Sequence, residues 1–359
     1  MGDRSNTGKI WRRLLKNKTA VAGMVVILFC FVVAIFAYFI SPDGSPNANR
    51  MMVEIGGRKP GFVQQFIKIP KEDVTVESFF TRLVRGKKDH FDYIPINGYE
   101  WRPDSVIINK FIDEGITERI AYPVNNFKSE ASSFVTIKFL LGTDKYGRDI
   151  LSRLIVGVRV SLGVGLVTVI LSVIIGILLG AAAGYYRGKT DDIIMWFINV
   201  IWSIPTLLLV FAITLVLGKG FWQVFIAIGL TTWVNVARII RGQVLAIKEL
   251  EYVEAARALG YSSARIIARH ILPNVMGPVI VIAASNFATA IVIEAGLSFL
   301  GVGVQPPQPS WGLMIKENYN FIITHNPMLA LAPGFAIMIL VLAFNMLGNG
   351  LRDALQVKD

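Results

Sequence analysis

Few segments of this 359-residue chain space their side chains for chemistry. The nearest to a nucleotide cradle is Ala183-Gly-Tyr-Tyr-Arg-Gly188-Lys189-Thr190, which ends in Gly-Lys-Thr but has Ala183 where a phosphate-binding loop begins with glycine. It follows an apolar run instead of a strand, so nothing would aim its backbone N–H groups at a phosphate. Arg187 and Lys189 read better as charged anchors ending a membrane span. A single cysteine, Cys30, excludes a disulfide within the chain. Three histidines, His90, His270 and His325, argue against a polyhistidine metal centre, and His325 reads as a loop residue.

Glu294 is the one carboxylate in an otherwise apolar stretch. A charge at mid-membrane costs about 2.5–3.5 kcal/mol, so it must face protein or water. Two readings stay open: Glu294 lines a translocation pathway, or it is the hydrogen-bonded outer end of a span. Asn286 is a second pathway candidate, although intramembrane amides such as Asn199, Asn235, Asn286 and Asn345 more often bridge helices. Pro205, in Trp202-Ser203-Ile204-Pro205, interrupts an apolar run and frees a carbonyl, serving either a hinge or pore-lining role or a passive bend.

The elements that must hold these residues are membrane spans. Hydrophobic residues make up 53% of the chain and charged ones 17%, against roughly 25% charged in soluble domains. A bilayer core about 30 Å thick needs about 20 apolar residues in a helix. Thr19–Ile40, Val160–Tyr186, Ile193–Gly218, Asn274–Ile293 and Asn326–Leu351 meet that length without Asp, Glu, Lys or Arg, and Gly220–Ala237 is a marginal sixth. The basic stretch Lys9 to Lys18 before the first run reads as the flank of an uncleaved signal anchor, since no A-x-A site follows. With both termini inside, residues 1–18, the short loops at 187–189 and 238–269 and the C-terminal tail carry sixteen Lys and Arg, against Lys219 and Lys316 in the short outer loops. This bias predicts six spans and cytoplasmic N and C termini.

The net charge of +11 therefore serves anionic lipid or a cytoplasmic partner, and nucleic acid is not an expected partner. Residues 41–135 form an outer insert of mixed charge. There Val74–Arg85 has helical apolar spacing (Val76, Phe79, Phe80, Leu83), while Phe91–Trp101 and Phe134–Leu141 read as strands. The insert is expected to fold as a small outer subdomain.

Between the fourth and fifth spans, the cytoplasmic loop 248–273 punctuates as two short helices. Gly260 sits where a glycine cap belongs, Ser262 or Ser263 can cap the second helix, and Pro273 precedes the next span. Ala255, Ala256 and Ala258 leave the first helix open to close approach by another protein. The residues alone allow a docking element or a plain connector.

Glu254-Ala255-Ala256, Gly260 four residues on and Leu272-Pro273 resemble the EAA loop of permease subunits of binding-protein-dependent ABC importers. That motif usually carries isoleucine two residues before the Leu-Pro, where this chain has His270 followed by Ile271. Two further strings are similar to the C-type permease of dipeptide and oligopeptide importers. They are Leu141-Gly-Thr-Asp-Lys-Tyr-Gly-Arg-Asp-Ile-Leu-Ser-Arg153 with Gly157 to Leu162, and Glu294-Ala-Gly-Leu-Ser-Phe-Leu-Gly-Val-Gly-Val-Gln-Pro-Pro-Gln-Pro-Ser-Trp-Gly312. The resemblance covers residues 136–357 closely and 8–40 loosely, and leaves 44–134 outside.

The resemblance implies an all-α integral membrane protein with six transmembrane helices of the type I ABC importer permease kind and an extracytoplasmic insert of mixed structure between helices 1 and 2. It implies a multi-pass subunit of the bacterial inner membrane, without enzymatic activity or a cofactor of its own. Its partners would be a homologous second permease, two ABC ATPases that bind ATP and magnesium, an extracytoplasmic substrate-binding protein and the lipid bilayer. Glu254, Ala255, Ala256, Gly260, Leu272 and Pro273 would couple the ATPases to the spans, and a bulky or charged residue at 260 would uncouple hydrolysis from transport. Peptide is the expected substrate, with nickel or another small solute as the alternative. An ion-gradient transporter would need several buried ionisable groups, and Glu294 alone qualifies. A membrane anchor displaying the insert would tolerate loss of the loop.

Overall fold

The computed structural model describes residues 3–71, 77–127, 129–324 and 326–355. Its helices in chain order are α1 (Asp3–Lys16), α2 (Lys18–Ile35), α3 (Ala37–Ile40), α4 (Phe79–Arg85), α5 (Glu130–Ser133), α6 (Ile150–Tyr186), α7 (Gly188–Ser203), α8 (Thr206–Leu217), α9 (Phe221–Lys248), α10 (Glu251–Ala258), α11 (Ser263–Ile266), α12 (Leu272–Leu300), α13 (Trp311–Asn318), α14 (Phe321–Thr324) and α15 (Met328–Leu355). The strands are β1 (Phe62–Pro70), β2 (Phe91–Trp101), β3 (Ser105–Asp113), β4 (Ile116–Pro123) and β5 (Phe134–Phe139). The chain divides into two compact units, Met1–Phe31 with Ser161–Gln305 and Ile337–Asp359, and Val32–Val160 with Pro306–Ala336.

The first unit is helical. Gly176, Gly180 and Gly184 recur every four residues and share one face of α6. A Cβ on Gly180 would lie 2.4 Å from the Ala237 carbonyl oxygen, and one on Gly176 2.5 Å from the Val236 Cβ. Helices in lipid gain little from the hydrophobic effect, so small residues that admit a neighbouring backbone drive their packing. Beside this contact Ala181, Val236, Ile240 and Val244 are buried in one cluster. Leu166, Ile170, Ile174 and Leu178, also four apart, stand exposed along α6. Such a stripe is a liability in water and suits acyl chains. Asn17 caps α2, its Oδ1 accepting from the Thr19 and Ala20 N–H groups at 3.1 and 3.2 Å.

Among the described residues five helices are long and apolar enough to cross a membrane, and a sixth crossing requires α7 and α8 to act as one span. These two meet at 96°. The run Ile193–Gly218, expected as one span, is therefore broken. Ile204 precedes proline and is driven to extended backbone (φ −96°, ψ 129°), while Pro205 offers no N–H to continue the ladder.

The second unit contains a five-stranded antiparallel sheet in the order β4-β3-β2-β1-β5. Both faces are covered: Phe66, Phe111 and Phe139 join Met52 and Ile55 in one cluster, and Ile67, Ile96, Val106, Ile108 and Phe127 form the other. Strand alternation places Phe66 and Ile67 on opposite sides. The helix expected over 74–85 is found from Phe79, and Val74 and Val76 lie outside the described residues.

Candidate functional site

The loop between α9 and α12 is built from its caps. Val253 and Ala256 of α10 are buried, joining Val244, Ile266, Ile271 and Val275 in a single cluster. Glu254, Ala255, Arg257 and Ala258 face outward, and Leu259 is 73% exposed. The helix ends in a Schellman motif: Tyr261 N–H donates to the Ala256 carbonyl at 3.2 Å and Gly260 N–H to that of Arg257 at 2.9 Å. This geometry needs a left-handed residue, and Gly260 supplies it at φ +77°, with nothing within 4 Å of where a Cβ would stand. Ser262 caps α11 through the Arg265 N–H.

A π turn, Ile267–Ile271, joins α11 to α12. Its wider winding accommodates one extra residue, so Ile266 and Ile271, five apart, both point into the cluster, followed by Val275. His270 instead stacks on Tyr261, ring centroids 6.0 Å apart. Leu272 is half-buried at the start of α12, with Pro273 exposed in its first turn, where a missing N–H costs nothing. Below α10 the base is pinned. Arg241 makes a bidentate pair with Asp191 at 2.6 Å, Lys248 Nζ donates to the Tyr185 carbonyl at 2.6 Å, and Arg187 pairs with Glu249 at 2.6 Å. Residues 183–190 run helix, turn, helix, so the Gly-Lys-Thr string has no strand before it.

Glu294 is 1% exposed. Ser298 Oγ donates to its Oε1 at 2.6 Å and accepts from the Val304 N–H at 3.0 Å. The carboxylate therefore holds the turn after α12, where Gly301 (φ +85°) forms a second left-handed cap. A Cβ on Gly303 would meet Ser298 Oγ at 2.2 Å, so this turn lies directly on the helix end. Asn286 is buried, its Nδ2 3.5 Å from Ser172 Oγ on α6, the helix-bridging geometry. Pro205 is exposed at the α7–α8 break. His325 lies outside the described residues.

Sequence reasoning assigned no role to a buried ion cluster in the second unit. Arg148, 1% exposed, bonds Asp144 through Nε at 2.6 Å, Glu317 through Nη2 at 2.7 Å and Asn49 through Nη1 at 3.2 Å, while Arg153 reaches Glu317 at 3.4 Å. Removing one member of such a set strands a buried charge at a cost of about 3–5 kcal/mol. The signal was Asp144, Arg148 and Arg153 at spacings of four and five, but Glu317 is far away in sequence. Nearby, burial pushes the Asp149 carboxyl up, opposed by hydrogen bonds from Ser152. The strings ending in Leu162 and Gly312 meet here too. Trp311 Nε1 donates to the Leu154 carbonyl at 3.0 Å, and a Cβ on Gly157 would lie 2.8 Å from that indole.

Comparison with known proteins gives two family matches: binding-protein-dependent transport system inner membrane component over residues 176–358, and N-terminal TM domain of oligopeptide transport permease C over residues 5–52. The dipeptide transport system permease protein of Bacillus subtilis (strain 168) is 32% identical over 354 residues, covering 99% of this chain and 86% of that protein. The oligopeptide transport system permease protein of the same strain is 42% identical over 217 residues, 60% of this chain and 71% of that protein. Among solved structures, an inward-facing methionine ABC transporter chain matches 58% of this chain and 98% of its own, with 19% identity and a TM-score of 0.49.

Proposed function

This chain belongs to the binding-protein-dependent transport system inner membrane component family, the permease subunits of ABC importers, and on that premise we propose that it translocates peptides by coupling to ATPases through α10 and Gly260. Membership implies ATPase subunits, a substrate-binding protein and a second permease as partners. In this reading ATP and magnesium are held by the ATPases, both chain termini are cytoplasmic, and the binding protein delivers substrate from outside. The sheet-bearing insert meets that binding protein or covers the pathway.

The observation that carries the reading is the rigid, outward face of α10. Alanines 255 and 258 beside an exposed Leu259 offer a low, apolar surface, and the Schellman cap together with buried Val253 and Ala256 fixes its direction. A groove on an ATPase can grip such a face. Closure of two ATPases on ATP would then move the helix, and the pinned base would pass that motion to α6 and α9 as rigid-body rocking. Glu294 orders the turn after α12 on the opposite end of that helix, a location suited to a gate.

Peptide is the substrate in this reading because a dipeptide permease is similar to this chain over nearly its whole length and an oligopeptide permease over 60% of it. Uptake of labelled dipeptides and oligopeptides by source cells lacking this chain tests it. Loss of uptake, restored by the wild-type chain, is expected; unchanged peptide uptake, with loss of a metal or another solute, would overturn the peptide assignment.

A further inference from the structure

We propose that α4 is a membrane-interface anchor, its Phe80 and Val84 face seated in the headgroup–acyl boundary at the level where the first apolar run ends. At about 100° per residue, Phe79, Leu83, Phe80 and Val84 cover an arc of about 140°, while Thr81, Arg82 and Arg85 take the other side. Within this arc Phe80 is 76% exposed, with Phe79 and Val84 also open. The helix is thus amphipathic, and among the described residues its Phe80 and Val84 side stands open while Phe79 and Leu83 turn toward the protein.

Its depth follows from what holds it. Phe79 contacts the ring of Phe39 at 5.4 Å, and the Arg82 guanidinium lies 4.6 Å over the same ring. Arg159 Nη1 donates to the carbonyls of Leu83 and Val84 at 3.1 and 3.2 Å, satisfying acceptors that the last helical turn leaves open. Phe39 lies at the end of the apolar run 19–40, and Arg159 is the last charged residue before the run 160–186. Both fasteners therefore mark the edge of the hydrocarbon. Ile35, Phe36 and Ile40 stand exposed in the same unit, continuing the apolar surface that meets lipid.

Charge favours lipid over a protein groove. Among the described residues, the exposed charged groups that flank the apolar face, Arg82, Arg85, Lys87 and Lys88, are basic and long enough to reach anionic headgroups, while half-buried Glu77 accepts from the Lys88 N–H. Ser78 caps the helix through the Thr81 N–H. Seven residues are too few for a stable free helix, so seating in the boundary also contributes to its order.

The test uses the full-length chain in vesicles of phosphatidylethanolamine and phosphatidylglycerol. In a Cys30→Ser background, Phe80→Cys and Val84→Cys are each labelled with an environment-sensitive fluorophore, with Ile116→Cys, at an exposed end of β4, as reference. Lipids brominated near the headgroup should remove most of the fluorescence at positions 80 and 84 and little at 116, and aqueous iodide should do the reverse. Iodide quenching at 80 and 84 equal to that at 116 would overturn the proposal. Protection at both positions from iodide and brominated lipid alike would also overturn it, assigning the face to a protein partner.

Discussion

Ile266, Ile271 and Val275 reach one buried cluster at spacings of five and then four residues because a π turn lies between the first two. In an unbroken α-helix the residue four after Ile266 would share its face, and that residue is His270. Ile271→Ala should therefore cost about 2–5 kcal/mol, as large-to-small core changes do. His270→Ile, at a half-buried ring that stacks on Tyr261 outside the buried cluster, should change stability by less than about 1 kcal/mol. Thermal unfolding of the full-length chain in detergent distinguishes them; equal losses would mean that both residues pack into the core. The EAA-like residues were legible as a string because their types and spacing are local. Which side chain packs was not, since one extra residue in a helical turn leaves no mark in composition. The Glu294–Ser298–Val304 relay was half legible: a lone carboxylate in an apolar run announces itself, while its serine donor is an ordinary residue four positions on.

At the scale of elements, α6 and α9 touch through glycine. A side chain at position 180 would meet main-chain atoms of Ala237, which cannot rotate away, so Gly180→Leu must separate the two helices. We expect a marked fall in thermal stability and loss of a monodisperse peak in size exclusion. Ile174→Ala, on the exposed stripe, should leave both nearly unchanged, and comparable damage from the two would contradict this packing. The four-residue glycine spacing stands in the sequence without showing which helix meets it, whereas Phe91–Trp101 and Phe134–Leu141, read as strands, are found as β2 and β5. The edge strand β4 was not legible, because most of its residues are exposed and Glu118 interrupts the side on which Ile120 and Tyr122 meet the core. Pro205 was visible as a breaker, but the apolar run continues across it. Hydropathy therefore merged α7 and α8, and the 96° angle belongs to backbone geometry at Ile204.

The whole molecule is a permease-family chain with an apolar helical unit and a sheet-bearing unit, and the loop between α9 and α12 is its proposed docking element. Charge bias and run lengths made the membrane class legible. The ion cluster around Arg148 was hidden, because Glu317 comes from the far end of the chain. The central claim is that α10 and Gly260 transmit the ATPase stroke. Gly260→Asp suits its test: the left-handed backbone costs about 1–2 kcal/mol with a side chain, and the space around it is open, so the spans should still fold. The direct measurement is affinity purification of the tagged full-length chain from its native membrane in mild detergent, reading co-purified subunits and ATP hydrolysis for wild type and Gly260→Asp. The account predicts that wild type brings down an ABC ATPase and a second permease, and that the variant loses the ATPase or its stimulated hydrolysis while unfolding near the wild-type temperature. Full retention of ATPase binding and stimulated hydrolysis by the variant would contradict it.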